Sequence, residues 1–279
     1  MATDTVPLGF RAQKTLKIIL EIMSNLSDIG FPTNSDQDIN DMISHVLELA
    51  ETIVSPGGFY LRFADASGAE IWLQGNAEQE LIGFNPHFAG KSRRRIGLTQ
   101  AIEREASVLD GGFHAWANPR DAGVETSGEY PFVFDAPNFR LNEISQFPQI
   151  CEIQLTAFAS NDFVVYADEK SYDESQQDTT KYASKSFVPS GLLAVDAEDE
   201  TIDLSAVRPI ATFTGEIKEF ELKTNQLSGN QFYWFLIDTF GGETDVVADV
   251  KLISSAPNIG GIVSGQFWLS GKIYGTPLS

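Results

Sequence analysis

The 279-residue chain has three histidines, and two of them stand among groups that could share a proton or a metal ion. His87 lies in Gly83-Phe-Asn-Pro-His-Phe-Ala-Gly90, which reads as a loop from its turn residues, and His114 lies in Gly111-Gly-Phe-His-Ala-Trp116. If they converged with Asp110 or Glu103, the pair could bind zinc or act as general acid and base. The spacing does not impose such a site, because the sequence has no HExxH, no CxxC and no two-histidine helix pair. His45 falls beside the apolar face of a helix and reads as a boundary residue. Cys151 precedes a strand core without a basic neighbour to lower its pKa, so it reads as an inert buried thiol. Ser190-Gly191 and Ser264-Gly265 lack the flanks of a nucleophile elbow, and no phosphate-binding glycine loop opens a helix. The leading expectation is therefore a protein without enzymatic activity, metal or cofactor. An enzyme using His87, His114 and Asp110 in a cleft is the alternative.

Lys91-Ser-Arg93-Arg94-Arg95 is the one basic cluster in a strongly acidic chain, which carries 19 Lys and Arg against 39 Asp and Glu, a formal charge of −20. Arginine forks suit phosphate and carboxylate groups, so Lys91, Arg93, Arg94 and Arg95 form a candidate contact loop. The overall charge disfavours a protein that coats nucleic acid or rests on anionic lipid. The expected partner is a protein. Asp196-Ala-Glu-Asp-Glu200 could offer oxygen ligands to Ca²⁺, but it lacks the alternation and central glycine of a calcium loop. A single cysteine cannot form an internal disulfide, no apolar run approaches the ~20 residues of a membrane span, and Met1–Leu8 does not read as a signal peptide. A cytoplasmic location is the expectation.

The elements that must position these groups are mainly β. Helical periodicity is clear only at Phe10–Ile29 and again from Ser35 to Ile53, a helical hairpin with a turn at Gly30-Phe31-Pro32. From Phe59 the period changes to two, with strands expected at Phe59–Asp65, Glu70–Gln74, Leu81–Phe84, Ala106–Asp110, Phe113–Ala117, Pro131–Asp135, Ile150–Ala159 and Asp162–Ala167. A short helix at Asp173–Ala183 and an acidic loop at Asp196–Asp203 follow. Strands then resume at Ile210–Leu222, Asn230–Asp238, Thr244–Ala248 and Ile262–Tyr274. The expected fold class is mainly β, α+β overall. Its expected units are a helical hairpin packed on a β-sheet domain over 1–165, an acidic connector over 166–208, and a small β unit over 209–279.

Phe59-Tyr-Leu-Arg-Phe-Ala-Asp65 through Glu70 aligns without gaps on Phe232-Tyr-Trp-Phe-Leu-Ile-Asp238 through Glu243. Each copy reads as a hairpin, and the match fits either a duplication or convergence on good turn chemistry. In the last 70 residues, Ala211-Thr-Phe-Thr-Gly215 is a strand with a glycine where a barrel strand would bend. An aromatic hairpin follows, then a strand with Gly265 and Gly271. This order resembles an OB-fold barrel. The resemblance implies binding of oligonucleotides or oligosaccharides on one barrel face, with Trp234 and Trp268 as candidate face residues. Only Lys218, Lys223, Lys251 and Lys272 could meet phosphates there, against seven carboxylates, so single-strand binding is a second alternative.

Overall fold

The computed structural model describes residues 25–104, 107–120, 128–142, 144, 146–176, 181–190 and 207–274. The helix α1, Asp36–Leu49, starts at Ser35, whose side chain accepts from the Asp38 N–H while the Asp38 carboxylate accepts from the Ser35 N–H. Ile39, Met42, Ile43 and Val46 form its buried stripe. Sequence periodicity carries this helix to Ile53, but it ends at Leu49. Thr52-Ile53-Val54 is β-branched, and Glu51–Ser55 forms strand β1 instead. Most of the expected first helix, up to residue 24, lies outside the described residues, which begin in a helical turn at 25–27. A short helix α2, Glu169–Ser175, begins at Asp168 and ends well before Ala183.

The described chain is mostly β, in two sheets. The first has the order β1–β2–β3–β4, with β2 Gly58–Ala64, β3 Ala69–Gly75 and β4 Leu81–Phe88. The second contains β5 Arg94–Arg104, β6 Ser107–Ala117, β7 Pro131–Asp135, β8 Gln149–Ala159, β9 Val164–Tyr166, β10 Ser186–Pro189, β11 Ile210–Thr224, β12 Gln231–Thr239, β13 Gly242–Asp249 and β14 Ile262–Tyr274. Three of these elements differ from the sequence reading, which placed no strand at β10. The Lys91–Arg95 loop becomes the start of β5 at Arg94, and the two strands expected around Gly111-Gly112 are one strand. Gly112 is needed inside β6 because a Cβ there would come 2.3 Å from the Phe134 carbonyl oxygen.

The second sheet closes on itself twice. Ile102, Gly112, Asp135, Ser270 and Thr156 stand opposite one another in turn across β5, β6, β7, β14 and β8. Glu219, Leu236, Asp245, Thr156 and Ser270 do the same across β11, β12, β13, β8 and β14. Arg94 pairs with Ile153, so continuing that register returns the first path to Lys91, eleven positions before Ile102. Ile210 pairs with Trp268, and the second path returns to Arg208, eleven positions before Glu219. The two rings therefore have the same stagger. In each, all neighbours are antiparallel except one parallel contact, β7 with β14 or β13 with β8. Each opening strand carries a register shift, at Leu98/Gln100 in β5 and Ile217/Glu219 in β11. A three-residue 3₁₀ turn follows each third strand, at Phe139–Leu141 and Val250–Leu252.

The repeated unit in the topology is thus β5–β8 and β11–β14, each ring taking its fifth strand from the other unit. The Phe59 and Phe232 hairpins, β2–β3 and β12–β13, belong to different sheets. Asp65 sits in a turn, whereas its aligned counterpart Asp238 is a strand residue paired with Glu243. Pairing also runs across residues 165 and 209: β8 lies between β13 and β14, β9 pairs with β14, and β10 with β11. Side chains inside both rings, among them Phe113, Phe134, Ile153, Leu155, Phe213 and Phe267, form one continuous core. The four-stranded sheet lies outside the rings. Its Leu61–Phe63–Ile71–Leu73 face joins α1 and the outer face of β12–β13 (Phe232, Trp234, Leu236, Val247) in a second core. Its other face, with Tyr60, Arg62, Glu70, Trp72, Gln74, Asn85 and His87, is set by cross-strand register. Hydrogen bonds from that face reach β6, β8 and β14.

Candidate functional site: a polar seam between the sheets

His87 stands on β4 rather than in a loop, and it is fully buried. Its neighbours fix its proton. The Gln154 amide nitrogen donates to Thr156 Oγ1 (2.7 Å) and Asp245 Oδ2 (2.8 Å), leaving Gln154 Oε1 as an acceptor 2.9 Å from His87 Nε2. Nε2 therefore carries the hydrogen, and Nδ1 accepts from Ser270 Oγ at 2.9 Å. Burial, reinforced by the Lys272 charge and opposed by Glu70, pushes the imidazole down to about 3. It is neutral at ordinary pH, with both nitrogens engaged.

Asp245, also fully buried, accepts four hydrogen bonds: from the Lys91 and Ser92 N–H groups, the Trp234 indole and Gln154. The segment entering β5 approaches so closely that a Cβ on Gly90 would lie 2.1 Å from the Asp245 carboxyl carbon. Glu70, beside His87 on β3, accepts from Arg62 (2.6 Å), the Trp72 indole (2.8 Å) and Lys272 (3.1 Å). Burial alone would raise its pKa. The cationic surroundings (His87 when protonated, Lys272 and Arg62) and the Trp72 hydrogen bond hold it at about 2. Above about pH 3 His87 is neutral, so Lys272 and Arg62 supply the charge.

Farther along the seam, Asn85 donates to Asp110 (3.0 Å), so His87 and Asp110 lie along the same interface between the sheets. Asp135 accepts from Arg104 (2.8 Å) and the Trp268 indole (2.9 Å). Burial raises the Asp135 carboxyl above its usual range against the Arg104 charge, and Asp110 adds to the rise. His114 is on β6, hydrogen-bonded to Thr99, and burial lowers its pKa. Gly112, His114 and Trp116 pair with Asp135, Val133 and Pro131, which puts these six on the outer face of β6–β7, away from Phe113 and Phe134. Glu103 binds Arg140. Among the described residues no group of three His, Cys, Asp or Glu side chains is placed to hold a metal ion. The Cys151 thiol is pushed by burial up to about 12.

The basic cluster divides by strand alternation. Arg94 points inward, 3% exposed, and donates to the Glu243 and Gly242 carbonyls (2.9 and 2.7 Å), Thr239 Oγ1 (2.6 Å) and the Tyr130 hydroxyl (3.4 Å), with its guanidinium over Phe187. It clamps β5 to the β12–β13 turn and is not a surface contact. Lys91, Arg93 and Arg95 are exposed. Lys91 pairs with Glu219, Arg93 lies over Tyr274, and Arg95 donates to the Pro119 carbonyl. Trp234 is buried with its indole on Asp245, so it offers no face to a ligand. Trp268 is half-buried, with one side against Phe158.

Gln154, Asp245 and Ser270 had no place in the sequence reading, Glu70 entered it only as a hairpin residue, and Lys272 only as a lysine that could meet phosphate. They carried a signal: each is a polar residue inside an apolar strand, as in Ala-Glu70-Ile-Trp or Thr-Asp245-Val-Val. The Asp196–Asp203 loop lies outside the described residues. No family model matches this chain, and neither curated proteins nor solved structures give a match. Among the described residues no helix is long and apolar enough to cross a membrane.

Proposed function

We propose that the chain is a non-catalytic binding protein built on two OB-like barrels that share the β8–β14 ribbon. The five-strand order with one parallel contact, the bulged first strand, the turn after the third strand and the equal stagger all support this reading. Barrels of this type bind ligands on the outer face of their second and third strands. In one ring that face, on β12–β13, is covered by the four-stranded sheet and α1. In the other, the β6–β7 face carries partly buried His114, Trp116 and Asp135 with Trp268 beside them. This asymmetry carries the reading. A protein partner suits a face that mixes indoles with Asp110, Asp135 and Arg104. The net charge of −20 disfavours single-stranded nucleic acid, whose binding needs a basic groove.

The enzyme reading needs His87 and His114 to act together; both His87 nitrogens are engaged in buried hydrogen bonds, while His114 stands on the outer face of β6 bonded to Thr99. The deciding experiment is a tryptophan-fluorescence titration with arrayed peptides, oligosaccharides and oligonucleotides. Trp116→Ala should abolish the response without lowering the melting temperature. A response unchanged by Trp116→Ala would reject the β6–β7 face, and turnover lost on substituting His87 would reject the non-catalytic reading.

A further inference from the structure

Strand β11 outruns its neighbour on one side. It pairs with β12 as far as Thr224, but with β14 only from Ile210 to Glu216. On the β14 side Ile217 still donates to the Gly261 carbonyl (2.8 Å) and accepts from the Gly260 N–H (2.9 Å). Beyond it, hydrogen-bond parity identifies the open groups. Asn225 donates to the Asn230 carbonyl at 2.9 Å, closing the hairpin, so Lys223, Glu221 and Glu219 also turn their backbone groups toward β12. Phe220, Leu222 and Thr224 turn their N–H and C=O groups the other way, where no backbone partner stands among the described residues; the Thr224 carbonyl accepts from the Gln226 side chain (3.3 Å), and the Phe220 and Leu222 groups form the open part of the edge. The same three side chains share one face, with Phe220 36% and Leu222 43% exposed. They continue the apolar surface of Tyr233 and Phe235 out of the ring. The opposite face carries Glu219, Glu221 and Lys223, with Lys223 paired to Glu221.

We propose that this edge receives an extended segment of a partner protein as an added β-strand, apolar at alternate positions and carrying Lys or Arg between them. Main-chain groups of Phe220 and Leu222, with the Thr224 N–H, supply the ladder, and Phe220 and Leu222 take the apolar side chains. The basic residues fall on the side of Glu219 and Glu221. Their present partners, Lys91 and Lys223, form ion pairs with carboxylates 47% and 59% exposed, which contribute little and exchange readily. A second copy of this chain fits less well, since each brings a charge of −20, which repels its twin and attracts a basic segment. The site is separate from the β6–β7 face and does not depend on it.

The test uses fluorescence polarisation with a labelled alternating Val–Lys peptide, the same peptide N-methylated at every second residue, and a Val–Glu counterpart. The Val–Lys peptide should bind. N-methylation should weaken it at least about tenfold by removing ladder hydrogen bonds, and the Val–Glu peptide should not bind. Leu222→Pro removes an N–H that faces away from β12, so it should weaken binding similarly while leaving the β11–β12 ladder intact. If that variant unfolds, the N-methylated peptide decides alone. Equal binding of both Val–Lys peptides would show attraction by charge only and overturn the proposal. So would no binding, or a dimer of the free protein in sedimentation that Leu222→Pro abolishes.

Discussion

Thr156 and Ser270 face each other across the β8–β14 ribbon, and both five-strand rings pass through this one rung. The polar seam is built on it: Ser270 donates to His87, Gln154 donates to Thr156, and Gln154 also joins His87 to Asp245. The side chains best suited to proton transfer thus hold the four-stranded sheet onto the ribbon.

Acid should loosen this seam. His87 falls from 6.5 to about 3 because burial penalises its charged form, so the unfolded chain binds the proton first. Stability is full above the unfolded value near 6.5 and declines as pH falls toward 3. Glu70, lowered from 4.5 to about 2 by its cationic neighbours, adds a loss between those values. Urea unfolding from pH 7 down to 4 should show a slope of about 1.4 kcal/mol per pH unit for each such proton. His87→Ala should remove the His87 contribution and cost about 2–4 kcal/mol at pH 7, since Ser270 and Gln154 lose their buried partner.

Asp28 should respond in the opposite sense. It is 1% exposed; Oδ1 accepts from the Asp249 N–H at 2.8 Å, and Oδ2 has no partner among the described residues. Burial raises its pKa well above 3.8, opposed by the Asp249 hydrogen bond and assisted by the Asp249 charge. Its contribution is most favourable below the unfolded value and is lost as pH rises toward the folded one. Asp28→Asn should therefore raise stability at pH 7 by about 1–2 kcal/mol and change little at pH 3, measured by denaturant titration at both.

Gly90 and Gly229 separate close approach from backbone strain. Gly229 has φ +75 with nothing within 4 Å of a Cβ, so Gly229→Ala should cost about 1 kcal/mol. Gly90→Ala drives a methyl into the Asp245 carboxylate and should cost about 3 kcal/mol or more in thermal unfolding, because four buried hydrogen bonds are displaced.

The arginines should differ just as sharply. Arg94→Ala leaves the Glu243 carbonyl and the Thr239 hydroxyl oxygen without their buried donor, the Gly242 carbonyl keeping the Thr239 hydroxyl, and should cost about 3 kcal/mol. Arg93→Ala and Arg95→Ala, on the exposed side, should each stay within about 0.5 kcal/mol. Chemical denaturation of the three single variants checks this directly.

Local chemistry was legible in the sequence: Ser35 and Asp38 announce α1, and the strands from Ile210 onward fall within one or two residues of their observed ends. β5 was hidden because arginines at 93–95 mask its alternation, and β4 was legible only as far as Phe84 because Asn85-Pro86 resembles a turn. The two rings were invisible because parallel contacts such as Asp245 with Thr156 join residues far apart in sequence, and periodicity carries no information about such partners. His87 and Asp110 were singled out by type, and they do lie along one seam. Gln154 and Asp245, which decide what His87 can do, come from β8 and β13.

The most direct test of the account is one set of binding and activity measurements on the wild type, Trp116→Ala and His87→Gln, each shown to be folded by circular dichroism. Ligand binding should be lost in Trp116→Ala and retained in His87→Gln, with no turnover depending on the imidazole. Binding that survives Trp116→Ala, together with an activity that disappears in His87→Gln, would contradict it.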